Sequence, residues 1–123
     1  MVDVTDKAKK YKTVAYYPGC ALEGTGNGYD VSTRAIAKKL DLKLKDVTNW
    51  NCCGAMEVKN VDPKIQTYLS ARVLSQAVNE DGMDVVMAPC NGCYHNLKKA
   101  EYDLSHDQKS VDDFYQRVFQ LIE

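Results

Sequence analysis

Five cysteines, Cys20, Cys52, Cys53, Cys90 and Cys93, stand in the pattern C-x31-C-C-G-x35-C-x2-C and constrain this chain more than any other feature. The spacers are long, so a site shared by the five must be assembled by the fold from three distant places. Disulfides consume cysteines in pairs, so five cannot all be used that way, and the adjacent pair at 52 and 53 is a strained choice for bridging. Cys90 and Cys93 alone read as a redox dithiol or as half of a zinc site. Five thiols converging on one place suit an iron–sulfur cluster better, because thiolate is its usual ligand. Zinc is the alternative metal, but a closed zinc site takes four ligands, commonly from two C-x2-C knuckles. Here there is one knuckle and a fifth thiol left over.

With 123 residues the chain is long enough for one domain with a real core, 1–123, of which 1–11 is a polar lead. Apolar residues make up 45% and charged residues 27%, the profile of a globular protein in water. Lys and Arg number 16 against 17 Asp and Glu, which leaves no electrostatic case for nucleic acid or an anionic membrane. The longest apolar runs, such as Val85-Val86-Met87-Ala88, are too short to span a bilayer. Met1 to Lys12 lacks the apolar stretch of a signal peptide, and unpaired cysteines without an export signal imply the reducing cytoplasm.

Three β-then-α units follow one another, each strand ending just before a cysteine. Lys12 to Tyr17 is β-branched and aromatic and is stopped by Pro18-Gly19 ahead of Cys20. A polar loop with Gly24, Gly26 and Gly28 leads to a helix over about 29–40, with Val31, Ala35, Ile36 and Leu40 on one side. Leu42 to Asn49 alternates as a strand with one solvated face and ends at Trp50-Asn51-Cys52-Cys53. Asp62 as N-cap and Pro63 at the first helical position open a helix with Ile65, Leu69, Val73 and Ala77 at intervals of four, and Gly82 suits its C′ position. Asp84 to Ala88 reads as a short strand buried on both faces, ended by Pro89 before Cys90. A helix over 91–104 turns Leu97, Ala100 and Leu104 inward, and Ser110 with Asp113 forms a capping box for a last helix bearing Val111, Phe114, Val118 and Leu121.

Strands joined in this way run parallel with right-handed crossovers, so the expected fold is α/β: a three-layer βαβαβα unit with a small parallel sheet. All strand-to-helix loops then share the carboxyl edge, where open α/β sheets place ligands. The five cysteines all lie in those loops. Cys90 and Cys93 at a helix N-terminus are expected to gain thiolate character from its dipole. Ligation would supply much of the order of the loops around Cys20 and Cys52.

The stretches YYPGCALEGTGNGYDVSTRAIAKKL, NWNCCGA and MAPCNGCYHNLKKA resemble the first, N-terminal cysteine-rich CCG domain of the CCG-bearing subunit of heterodisulfide reductase, over about Tyr16 to Ala100. Related members include the iron–sulfur subunit of thiol:fumarate reductase and proteins of lactate, glycolate and glycerol-phosphate oxidation. The resemblance implies that Cys20, Cys52, Cys53, Cys90 and Cys93 together hold one noncubane 4Fe-4S cluster. It also implies an oxidoreductase acting on a disulfide, served by a subunit with cubane clusters and a flavin subunit. The CCG-bearing subunit of that family usually carries two such domains, with the heterodisulfide between their clusters. This chain has one motif, so the second CCG domain is expected from the same subunit, a split subunit or a homodimer. A non-catalytic electron-transfer module and a zinc-binding interaction domain are the competing readings.

Lesser signals concern the same edge. Gly24-Thr-Gly26-Asn-Gly28 lacks the sixth-position glycine of a dinucleotide fingerprint, where Tyr29 stands, so it reads as a flexible wall of the cluster or substrate cleft. His95 is the candidate catalytic residue, donating to a cluster sulfur or protonating a leaving thiolate, against the reading of an ordinary surface histidine. Trp50 shields the cluster or simply fills the core.

Overall fold

The β-branched and aromatic run ahead of Cys20 is the central strand of a three-stranded sheet, in a computed structural model that describes residues 12–106, 108, 109 and 112. Strand β1 (Thr13–Tyr16) pairs in parallel with β2 (Lys43–Asp46), Thr13 opposite Lys43 through Tyr16 opposite Asp46. On its other side it pairs in parallel with β3 (Val86–Met87), Ala15 opposite Val86 and Tyr16 opposite Met87. The chain is therefore α/β with a small parallel sheet, as its strand–helix alternation implies. The expected capping box at Ser110 and Asp113 and the helix after it lie outside the described residues.

Successive residues of a strand point to opposite faces, and β1 is covered on both. Ala15 and the following Tyr17 face helices α4 (Pro63–Asn79) and α5 (Asn91–His106), meeting Val73, Ala77 and Leu97 in the core. Tyr16 faces the other way, toward α2 (Asn27–Lys39). Two short helices complete the described elements, α1 (Gly19–Glu23) and α3 (Met56–Val61).

The start of α4 is as the sequence implies. Asp62 accepts a hydrogen bond from the Lys64 N–H at 2.9 Å, and Pro63 is the first helical residue. Leu97 and Ala100 of α5 are buried as expected. Gly82 takes a left-handed φ of 65°, but one position later than C′, because the helix stops at Asn79 and Glu80 caps it.

Several boundaries and faces differ. The segment at 19–23 is helical, and a hydrogen-bonded turn at 24–26 joins it to α2, with Gly26 N–H donating to the Ala21 carbonyl at 2.8 Å. A side chain at Gly26 would bring its Cβ to 2.8 Å from that same oxygen. Gly26 thus builds a close helix–helix turn, while Gly28 lies within α2 with nothing near it. Strand β3 spans two residues and is half-buried, because the order β2–β1–β3 leaves it at the sheet edge. On α2, Val31, Ile36 and Leu40 are exposed at 59%, 61% and 70%, while Thr33 and Ala37 are buried. A polar network docks this helix: Tyr16 donates to Asp30 at 2.6 Å, and Arg34 bonds Asp30 at 3.0 Å and Asp46 at 2.9 and 3.0 Å. On α4, Val73 and Ala77 are buried, but Ile65 is exposed, and Gln66 and Ser70 take the inner side.

Candidate metal centre

Each strand delivers its cysteines to the carboxyl edge by a different device. After β1 the chain passes Tyr17 and Pro18 and enters α1 at Gly19, whose φ is 77°, with Cys20 the next residue. A Cβ on Gly19 would lie 2.8 Å from the Cys93 sulfur, so this position is open because it carries no side chain. After β2 the chain crosses Val47 to Asn51 before Cys52 and Cys53. Four side chains staple this loop. Tyr17 donates to the Asn51 carbonyl at 2.7 Å, and Ser70 donates to that of Cys53 at 2.9 Å. The Asn51 amide donates to the Cys52 and Leu69 carbonyls at 2.8 and 3.0 Å, and Arg72 donates to the Asn51 side-chain oxygen at 2.7 Å. After β3 the carbonyl of Cys90 accepts from the Tyr94 N–H at 2.9 Å, which sets Cys90 at the mouth of α5 and Cys93 in its first turn.

The three deliveries meet. Cys20 neighbours Cys52, Cys52 neighbours Cys53, the Cys53 and Cys93 sulfurs lie 3.5 Å apart, and Cys93 neighbours Cys90. All five are free thiols in one row, from exposed Cys20 and Cys52 to buried Cys53 and Cys93. Among the described residues, no three His, Cys, Asp or Glu side chains are grouped so as to hold a metal ion as they stand.

The inner end of the row is polarised. The Cys53 and Cys93 thiols share a hydrogen bond, and the Asn96 amide donates to the Cys53 sulfur at 3.5 Å. These bonds hold the Cys53 thiol below its ordinary value, against the opposing effect of burial. The same shared hydrogen bond pushes the Cys93 thiol up, and burial adds to it. The helix N-terminus was expected to favour thiolate at both Cys90 and Cys93; at Cys93 the contact with Cys53 outweighs it. At the outer end, desolvation and the neighbouring Cys52 raise the Cys20 thiol.

Tyr17 is the floor of the site. It is fully buried, and its phenol is pushed up by desolvation and then by the thiols of Cys53, Cys93, Cys52 and Cys20. Half-buried Trp50 stands edge-on to it, ring centroids 5.3 Å apart, and packs against the core. His95 is exposed, about 200° round α5 from Cys93. Asn96, about 300° round and so on the Cys93 side, is buried with Gln66, which donates to its side-chain oxygen at 2.6 Å. Sequence reading missed Tyr17, Gln66 and Asn96; the available signal was polar residues interrupting the apolar faces of α4 and α5.

The donor set fits an iron–sulfur group: five thiols, no disulfide, and a side-chain-free position against one sulfur. A family model described as the cysteine-rich domain CCG matches residues 14–98. The chain is 33% identical over 99 residues to the 8-methylmenaquinol:fumarate reductase membrane anchor subunit of Wolinella succinogenes, covering 80% of this chain and 34% of that protein. It is 29% identical over 97 residues to a subunit of the ferredoxin/F(420)H(2)-dependent CoB-CoM heterodisulfide reductase of Methanosarcina acetivorans, covering 76% and 31%. The same identity and coverage hold for a subunit of the ferredoxin:CoB-CoM heterodisulfide reductase of Methanosarcina mazei. The chain thus spans about a third of the length of these curated relatives.

Proposed function

This chain belongs to the CCG cysteine-rich domain family and is homologous to heterodisulfide reductase subunits, and from that premise we propose that it is the cluster-bearing half of a disulfide-reducing redox subunit. The observation that carries this reading is the unbroken row of five thiols at one sheet edge. Cys20, Cys52, Cys53, Cys90 and Cys93 would hold a noncubane 4Fe-4S cluster. Bound there, such a group supplies electrons one at a time to a substrate sulfur.

The chain's own residues supply the surroundings. Tyr17 and Trp50 exclude water from the inner side of the row. The exposed positions of Cys20 and Cys52 leave the outer side open to substrate and partner. Reducing one disulfide to two thiols takes two electrons and two protons. The electrons come from partner subunits with cubane clusters and a flavin; His95, on the exposed side of α5, gives one proton by way of water to a departing thiolate, and water at the open edge gives the other. One open row serves one sulfur, so a second CCG domain, from a longer chain, a split subunit or a second copy, faces this edge to receive the other.

Anaerobic purification or reconstitution tests the reading. A brown protein with about four irons and four sulfides per chain is expected; a colourless protein that takes up one zinc and no sulfide would overturn it. Thiol release from a disulfide is expected with a second CCG domain present and not from this domain alone. Equal release from the isolated domain would remove the need for the second one.

A further inference from the structure

Two buried amides stand behind the row of thiols. Asn96 is 7% exposed and Gln66 5%, both on core-facing sides of their helices. Buried amides are costly unless their hydrogen bonds are made, and apolar side chains of similar size would pack there without that cost. The bonds they make have a direction. The Gln66 Nε2 donates to Asn96 Oδ1 at 2.6 Å, which fixes the Asn96 amide so that its Nδ2 points at the Cys53 sulfur, 3.5 Å away. Gln66 itself sits against the loop carrying Cys53: a Cβ on Gly54 would come within 3.2 Å of Gln66 Cα. Cys53 in turn is held through its carbonyl by Ser70, one turn further along the same helix.

We infer that Asn96, oriented by Gln66, is a positioning residue that aims its amide at the Cys53 sulfur and sets the redox potential of the group bound there. This rests on the five cysteines holding an iron–sulfur cluster. Hydrogen bonds to ligating sulfurs stabilise the reduced, more negative state and raise the potential. The Asn96 bond is made in a buried place where no water can replace it. Gln66 touches no sulfur and acts through Asn96, because without it the Asn96 amide is free to turn its oxygen toward Cys53. His95, one residue away, lies on the exposed side of α5 and is outside this pair.

The test is a potentiometric titration of the reconstituted protein, followed by electron paramagnetic resonance. Asn96→Leu keeps the volume and removes the donor. It is expected to shift the midpoint negative by about tenfold in the oxidised-to-reduced ratio, about 59 mV for one electron. Gln66→Met is expected to shift it in the same direction by less. The double variant is expected to match Asn96→Leu alone apart from the small effect of Gln66 packing against Gly54, because its hydrogen bond reaches the sulfur only through Asn96. Iron and sulfide content are measured in parallel. Wild-type and variant proteins with equal iron and the same midpoint would overturn the positioning role while leaving the cluster reading intact. A wild-type protein that takes up no cluster overturns both. If Asn96→Leu fails to load, Gln66→Met decides: it keeps every thiol and Asn96 itself, and a midpoint unshifted in it overturns the inference.

Discussion

At the scale of single residues, the two cysteines of the adjacent pair are chemically different. Cys53 is buried, accepts from Asn96 and lies 3.5 Å from Cys93, whereas Cys52 is exposed and neighbours Cys20. Both Cys52→Ala and Cys53→Ala are expected to lower iron content severalfold. Denaturant unfolding of the metal-free protein separates them: Cys52→Ala stays within about 0.5 kcal/mol of wild type, and Cys53→Ala loses about 1–2 kcal/mol from the core. Gly19 and Gly82 form a second contrast, since both have left-handed φ, 77° and 65°. A Cβ at Gly19 would strike the Cys93 sulfur, while one at Gly82 meets nothing within 4 Å. Each alanine costs about 1–2 kcal/mol of backbone strain. Only Gly19→Ala is expected to lower iron and sulfide binding; equal loading of the two variants would show that the opening beside Cys93 is not needed.

At the scale of elements, Asp81 ties the end of α4 to the exit of β2, where the loop to Cys52 begins. Its carboxylate accepts from the Thr48 N–H at 2.9 Å and from the Thr48 hydroxyl, and it pairs with Lys45 at 3.3 Å. The side chain is 1% exposed, and the two Thr48 bonds hold its carboxyl below the ordinary value. A depressed carboxyl contributes stability above its unfolded value, about 3.9, and loses it as pH falls through the folded value. Asp81→Ala is therefore expected to cost about 1–3 kcal/mol at neutral pH, by leaving the Thr48 N–H unpaired. Thermal unfolding followed across pH should show this gap narrowing below about pH 4. A gap that is constant down to acid would mean the carboxylate charge contributes nothing.

At the scale of the whole molecule, the thiol row is bounded by segments held with different firmness. The loop to Cys52 and Cys53 is stapled by Tyr17, Asn51, Ser70 and Arg72, bonds that involve no metal. Its order is therefore expected to depend on ligation less than that of the Cys20 segment. Cys20 rides on five-residue α1, exposed and joined to α2 by a backbone turn. Removing metal with a chelator under reducing conditions is expected to speed amide hydrogen exchange around 19–26 more than around 51–54. The reverse order, or equal loss at both, would contradict this. No helix among the described residues is long and apolar enough to cross a membrane.

The repeating order of strand, cysteine-bearing loop and helix was legible from the chain itself, as were the helix start at Asp62 and the family. These are local signals: β-branched runs, a proline after an N-cap, and an odd, clustered set of cysteines that disulfides cannot all use. The convergence at one edge followed from them, because parallel strands carry every such loop to the same side. Only the tertiary structure decided which side of each helix is buried. Apolar periodicity pointed to Val31, Ile36 and Leu40, but the Tyr16–Asp30–Arg34–Asp46 network turned α2 the other way. It also decided which side chains surround the thiols. Tyr17, Gln66 and Asn96 look in sequence like ordinary residues of a strand end and two helices. They become part of the site through contacts 30 to 43 positions apart along the chain, and a local pattern holds no record of such contacts.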